Sequence, residues 1–346
     1  MTIEINLPGD TRIDHLNQPD ARRLQVPVPG SPPDPDLGPF QLLPGTWANI
    51  DPGQPGGGPA AGHGWNMIAL PFATADGSPP FRLLLNQFNE TLTFNLVDKA
   101  VPNRGISANP LQERDQFDVT LDYVQSVGQI SATDNPRSTF ADPQSKPIHH
   151  EPGLFLNMVN RTPAGNNIAR LGSIPHGDSV LAIGKSSTIA GPPAIPAVDG
   201  LPIGVDPDPH GPGAHYLAPY LAFDANPFKG VLAGVAGFPG FNPLHPHLLL
   251  AGALVGQNIT RTTVLDLSTE TFTAGIHNIP FVTHQANPTS MTSTFWIEEI
   301  DNGDNTTTLQ LQYLQVVLLD FFPRPDNQPG LIRWPHVSIN TMRRIA

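Results

Sequence analysis

The chain has 346 residues, of which 41 are proline and 32 are glycine; it has no cysteine and a formal net charge of −12. Without cysteine there can be no disulfide, no thiolate nucleophile and no cysteine-bound metal. With 18 basic against 30 acidic residues and no basic cluster, the sequence argues against a nucleic-acid partner. No apolar run reaches the about 18 residues that a membrane helix needs.

The prolines and glycines concentrate in two stretches. Residues 1–62 contain 12 prolines and 9 glycines, and residues 185–250 contain the same numbers. We therefore predict an irregular N-terminal arm over 1–38 and a single domain over 39–346, with a loop insertion over 185–250. The insertion holds apolar clusters that a disordered linker would lack, which predicts that it packs on the domain as a cover with one or two helical turns.

Between these stretches, apolar and polar residues alternate with a period of two, the pattern of half-buried β-strands. It is clearest over 88–96 and 117–123, and two longer β-rich runs are joined by a hairpin signal, DNGDN, at 301–305. The other predicted strands lie at 65–71, 154–159, 168–174, 179–183, 262–267, 292–300, 309–319 and 337–343. Many strands with short turns and no long helix predict an all-β fold, an antiparallel up-and-down β-barrel of about ten strands similar to lipocalins.

Five segments, in order, resemble the nitrobindin family of small, fatty-acid-binding-protein-like β-barrels that hold b-type haem. They are GTW at 45–47 with HGWNMI at 63–68, FNETLTF at 88–94 with NRG at 103–105, HHEPGLF at 149–155, PHG at 175–177 before SVLAIG at 179–184, and WPHVSINTMRR at 334–344. The arm and the insertion have no counterpart in the family, and residues 95–97 lack the distal histidine that some members carry.

The resemblance implies a haem b cofactor with His336 as the proximal ligand of the iron. It also implies peroxide or reactive-nitrogen chemistry: peroxidase-like turnover, peroxynitrite isomerisation or nitric oxide binding. His336, Ser338, Asn340 and Met342 share one strand face, and without cysteine an axial donor must be His, Met or Tyr. Alternatively, His336 is a hydrogen-bonded histidine near a chain end. Aromatic residues that could line a haem cavity, or simply belong to the core, are Trp65, Phe88, Phe94 and Trp334.

His149, His150 and Glu151 form a second conspicuous cluster. Adjacent strand residues point to opposite faces, so only one of the two histidines can face a cavity if the strand is regular. We predict His149 as a cofactor contact, and His150 with Arg104 as catalytic groups acting on bound peroxide. The cluster could instead tie down the loop before the strand, or bind zinc or iron.

Two other functions stay open. The barrel could bind another apolar small molecule, such as a lipid or pigment, without chemistry, with the insertion as a lid. It could also be a mononuclear metal enzyme that uses the cluster at 149–151 and the insertion histidines His210, His215, His245 and His247. Each hypothesis implies a small-molecule ligand, with no nucleic-acid or membrane partner. The N-terminus shows no basic and apolar leader pattern, which predicts a cytoplasmic protein.

Overall fold

The computed structural model describes residues 33–72, 80–108, 110–142, 144–174 and 177–345. Fourteen strands and three α-helices lie within these ranges. The strands are β1 (Gly45–Ala48), β2 (Gly64–Pro71), β3 (Phe81–Asn103), β4 (Ile106–Ala108), β5 (Leu111–Glu113), β6 (Gln116–Asn135), β7 (Lys146–Met158), β8 (Ile168–Ile174), β9 (Asp178–Ala190), β10 (Ile259–Ser268), β11 (Gly275–Asn278), β12 (Asn287–Asp301), β13 (Thr307–Pro323) and β14 (Leu331–Arg344). The helices are α1 (Ala214–Ala225), α2 (His247–Leu254) and α3 (Pro280–Gln285).

Ten antiparallel strands form a closed barrel, as the strand pattern predicts. Hydrogen-bonded neighbours follow the order β14, β13, β12, β10, β9, β8, β7, β6, β3 and β2. The barrel closes where β14 pairs with β2, in the register Val337↔Met67, and β1 pairs with both β14 and β3. Closure pairs the first and last strands of this order with each other, so neither is an edge strand, while the short β11 pairs, among the described strands, only with β9.

The predicted strands lie within observed strands, except that the one at 154–159 runs one residue past the end of β7 at Met158, and several observed strands are much longer. β3 and β6 pair from Leu83↔Asn135 to Asn103↔Gln116 with three register shifts. These irregularities interrupt the two-residue period, so the periodic pattern marks only the best-ordered part of each strand. The predicted hairpin at 301–305 joins β12 to β13, and its Gly303 and Asn305 adopt positive φ.

An apolar core fills one part of the barrel interior. The Phe155 ring contacts Phe94, Phe295 and Phe40 edge-on, with centroid separations of 5.4, 5.6 and 6.0 Å. Phe40 ends a 3₁₀ helix, Pro35–Phe40, that packs into this core. The last residues of the predicted irregular arm therefore belong to the barrel core, while residues 1–32 lie outside the described residues.

The insertion covers part of the barrel's outer surface, and it begins later than predicted. Residues 185–190 extend β9 because they pair with β10, so the insertion spans 191–258 and contains α1 and α2. Trp65 of β2 faces outward and is stacked on Phe241 of the insertion, with ring centroids 5.6 Å apart. The inserted residues form a second apolar cluster with the outward faces of β2, β3, β13 and β14.

Glu298 is buried on the outward face of β12. Gln310 donates a hydrogen bond to its Oε2, while Oε1 has no hydrogen-bond partner within the described ranges. Burial raises the pKa of Glu298 to about 8, against the opposing influence of Gln310 and Arg343. The unfolded chain ionises this carboxyl near pH 4.5, so its contribution to stability is complete below that pH and is lost as the pH rises through about 8.

We expect Glu298→Gln to remove this pH-dependent loss. When the pH is raised from about 5 to about 8.5, the free energy of unfolding of the variant should increase relative to that of the wild type by on the order of 3 kcal/mol. The reason is that only the wild type has a buried carboxyl group whose ionisation is unfavourable. Urea unfolding at both pH values measures the difference. The exposed Glu113 supplies a control, Glu113→Gln. Equal Glu298→Gln effects at both pH values would contradict the prediction.

Candidate functional site

A cavity of about 340 Å³ lies inside the barrel between β2, β3, β6, β7, β13 and β14. Its apolar wall consists of inward-facing residues of β2, β3, β6 and β7. They are Ile68, Leu70, Leu84, Phe88, Val127 and Ile148. An apolar wall combined with a few polar groups, at a volume of this size, is typical of a small-molecule site.

His336 lines this cavity from β14, on the strand face that alternation predicts. Ser338 lines it next along the strand, and Met342 on the same face reaches the apolar core. Val337 and Ile339 lie on the opposite face, in the cluster formed with the insertion. Alternate side chains of β14 therefore face the cavity and the insertion, and His336 is one of those that face the cavity.

The two adjacent histidines of β7 lie on opposite faces of the barrel wall. His149 lines the cavity, and its Nε2 is 3.3 Å from Glu151 Oε2. His150 is exposed, with its Nδ1 3.3 Å from Ser126 Oγ. The two histidines thus face opposite sides of the strand, as predicted. However, His149 reaches the cavity, and the predicted catalytic His150 does not.

Arg104, the other predicted catalytic residue, also lies away from the cavity. It follows the end of β3, whereas the cavity is lined by the beginning of that strand, around Phe88. Its side chain is 76% exposed, and its Nη1 is 2.7 Å from Asp115 Oδ2. The structure therefore does not bring Arg104 and His150 together at a bound ligand.

Of the four aromatic residues predicted to line the cavity, Phe88 does so. Phe94 lies further along the same face of β3, where it fills the apolar core. Trp65 faces outward because the inward positions of β2 are Asn66 and Ile68. Trp334 belongs to the outer cluster too, with its ring centroid 4.5 Å from that of Phe81. These three placements correct the prediction.

A buried ion pair lies beneath the cavity. Arg170 Nη2 is 3.0 Å from Glu151 Oε1, and Arg170 Nε donates to the Tyr123 hydroxyl at 3.1 Å. Tyr123 in turn donates to Glu151 Oε1. Burial alone would raise the pKa of Glu151, but Arg170, His149 and Tyr123 outweigh it and lower this pKa to about 2. The carboxylate that contacts His149 is therefore charged at neutral pH.

A second buried carboxyl, Glu90, lies under the same cavity. It accepts hydrogen bonds from Tyr313 at 2.7 Å, Gln125 at 2.7 Å and Asn340 at 2.9 Å. Burial raises the pKa of Glu90, and these three donors oppose the rise. Tyr313 and Gln125 also line the cavity, so the floor of the cavity is held by hydrogen bonds to two buried carboxyl groups.

The cavity wall is basic although the chain is acidic. Arg82, Lys146, His149 and His336 line it, and none of its described lining residues is Asp or Glu. Arg82 Nη1 is 3.1 Å from the buried Asp134, and its guanidinium lies 5.7 Å from the centroid of the Phe140 ring. A wall of this composition favours a ligand that carries negative charge or hydrogen-bond acceptors.

The insertion histidines do not form a metal site. The His245 and His247 ring centroids are 6.2 Å apart, and His247 Nδ1 is 2.9 Å from the Val198 carbonyl oxygen. Within the described ranges, no group of three or more His, Cys, Asp or Glu side chains is arranged to hold a metal ion. The same ranges contain no helix with the length and apolarity needed to cross a membrane.

Two buried charged residues beneath the cavity, Arg170 and Glu90, are not among the predicted site residues. Arg170 stands between Ala169 and Leu171 in an ordinary strand, and only the register of β7 and β8 brings it to Glu151. Glu90 does leave a signal, because it occupies the apolar face between Phe88 and Leu92, where a charged residue needs partners.

The comparisons with known proteins give a distant similarity among solved structures. No family model matches the chain, and no curated protein matches it. Among solved structures, the chain is similar to the crystal structure of Rv2717c from M. tuberculosis. The two are 16% identical, the similarity covers 91% of this chain and 99% of that one, and the TM-score is 0.35. This similarity is too distant to assign a residue role, a ligand or an activity.

Proposed function

We propose that the barrel binds a small molecule in the cavity and that this molecule is haem, with His336 as the axial ligand. The observation that carries the proposal is a histidine, His336, on the wall of a cavity inside the barrel that also has an apolar wall formed by residues such as Phe88 and Leu84. Haem needs such walls and one axial donor, and the residues present fit both needs. The order of motifs that resembles nitrobindins supports the same assignment.

In this proposal, Phe88, Leu84 and Ile68 supply apolar contacts and exclude water from the ligand. When bound, haem supplies an iron centre that can bind nitric oxide or peroxide. His149 is the histidine placed to exchange a proton with a cavity ligand, because the charged Glu151 carboxylate orients it. His150 and Arg104 take no part, since both side chains are exposed outside the cavity.

We expect protein produced with a supply of haem to show a Soret absorption band that is lost in His336→Ala. The variant lacks the axial donor, whereas the apolar wall persists. His150→Ala is the matched control, since it removes a neighbouring exposed histidine and should keep the band. A missing band in the wild type, or an unchanged band in His336→Ala, would contradict the proposal.

A second candidate is a barrel that binds another apolar molecule without iron. The basic wall formed by Arg82 and Lys146 favours it, because these groups suit any organic anion with an apolar body. Native mass spectrometry and iron analysis of the purified protein separate the two candidates. A bound organic acid with no iron selects this one, and stoichiometric iron selects haem.

A further inference from the structure

Four neutral polar side chains cross the cavity wall in one row. Asn86 of β3 is paired with Asn66 of β2, Asn66 with Ser338 of β14, and Ser338 with Gln315 of β13. All four line the cavity. Directly paired residues of an antiparallel sheet point to the same side, and neighbouring strands are about 4.8 Å apart. The side chains therefore form a continuous band of neutral polar groups on the cavity wall.

The orientation of the Gln315 amide is fixed by its neighbour. Arg170 Nη1 donates to Gln315 Oε1 at 2.7 Å, and a guanidinium can only donate. The oxygen of Gln315 therefore faces Arg170, and its Nε2 has no acceptor among the described residues. Arg170 is itself held by Glu151, so the exposed donor of Gln315 is part of a rigid arrangement.

At the other end of the row, Asn66 and Asn86 also have polar atoms without hydrogen-bond partners among the described residues. Asn86 Nδ2 donates to Asn66 Oδ1 at 2.7 Å, which leaves the Asn66 amide nitrogen as a donor. Asn86 is 5% exposed, and its Oδ1 is buried with no hydrogen-bond partner in the described structure. Buried polar atoms are rarely left unpaired without a bound water or ligand. The row thus offers donors from Gln315, Ser338 and Asn66. The Asn86 oxygen needs a donor, which a bound water can supply and an ionised carboxylate cannot.

We infer that this row binds a carboxylate of the cavity ligand, which is an organic acid with an apolar body. Haem, which carries two carboxylates, belongs to this class. Adjacent donors on neighbouring strands match the two oxygens of a carboxylate. Arg82 and Lys146 pair with Asp134 and Asp142, but no Asp or Glu belongs to the described wall itself, and this favours the same charge. The inference rests on the proposed function in that both use this cavity.

Calorimetric titration with decanoic acid and decan-1-ol tests the inference, because the two probes share an apolar chain and differ in the head group. Protein purified without added haem should bind the acid at least about tenfold more tightly than the alcohol. Gln315→Glu keeps an acceptor for Arg170 but replaces the donor with a negative charge. It should abolish this preference, because the added charge repels the carboxylate of the acid more strongly than the neutral hydroxyl of the alcohol.

Ser338→Ala serves as a second variant with little effect on packing and should reduce the preference by about threefold to tenfold. Gln54→Glu adds the same charge at an exposed position and is the control. Equal binding of both probes to the wild type, no binding of either, or a preference that survives both cavity variants would overturn the inference. The haem spectrum is measured independently, so it decides the proposed function whatever these titrations show.

Discussion

Replacing Arg170 with methionine is expected to lower the free energy of unfolding by about 3–5 kcal/mol. Methionine has a similar length, so the main loss is the charge that neutralises Glu151. The remaining carboxylate would be buried with Tyr123 and His149 as its partners. The guanidinium also lies 5.3 Å from the centroid of the Tyr123 ring and 5.5 Å from that of Phe295, and these contacts would be lost.

Urea unfolding measures this effect, and Arg104→Met is the matched control. Arg104 also pairs with an aspartate, but its side chain is 76% exposed, so its loss should cost less than about 1 kcal/mol. Adding Glu151→Gln to Arg170→Met should recover part of the loss, because no buried charge is then unpaired. Equal effects of the two arginine substitutions would show that burial of the ion pair has no energetic importance.

The same ion pair should make the stability of the protein decrease at acidic pH. The pKa of Glu151 is about 2 in the folded protein against 4.5 as the ordinary value. Its contribution to stability is therefore present above about pH 4.5 and is lost as the pH falls through about 2. Arg170→Met should remove this part of the acid dependence, which unfolding curves at several acidic pH values would show.

Trp65→Ala is expected to destabilise the protein by about 3–5 kcal/mol, the usual cost of deleting a large buried aromatic side chain. Trp65 is 1% exposed, and its Nε1 donates to the Gly62 carbonyl oxygen at 2.7 Å. Its ring contacts Phe241, Phe228 and Phe238, all within the insertion. The loss should therefore fall mainly on the attachment of the insertion to the barrel.

Limited proteolysis tests where the destabilisation acts. In Trp65→Ala, cleavage should begin within 191–258 before the barrel strands are cut, since local opening exposes the least stable unit first. Phe140→Ala removes an aromatic residue that is 65% exposed and should change neither the cleavage sites nor the stability by more than about 1 kcal/mol. Simultaneous cleavage throughout the Trp65→Ala chain would mean that insertion and barrel unfold together.

The barrel could be predicted because its inner and outer surfaces differ along each strand. Alternation over 88–96 places Phe88, Leu92 and Phe94 inside, and the same reasoning places His336, Ser338 and Met342 on one face of β14. Where both faces of a strand are apolar, alternation cannot distinguish residues that face the cavity from residues that pack under the insertion. Trp65 and Trp334 are large and buried, as a cavity wall would require, but they pack under the insertion instead.

The polar part of the site could not be predicted because it depends on register. Gln315 and Ser338 are 23 positions apart in the chain and become neighbours only through the pairing of β13 with β14. Arg170 acquires its role through contacts with β6, β7 and β13 together. No local pattern records which residue of one strand will stand opposite which residue of another.

The covering insertion changes which substitutions the barrel wall can tolerate. In most barrels each strand has a solvent face, where polar changes cost little. Here β14 presents His336 and Ser338 to the cavity, while Val337 and Ile339 on its other face are completely buried. Substitutions on either face of this strand should therefore be costly. We expect tolerated substitutions in β14 and in the neighbouring part of β13 only at the strand ends, where the side chains regain access to water.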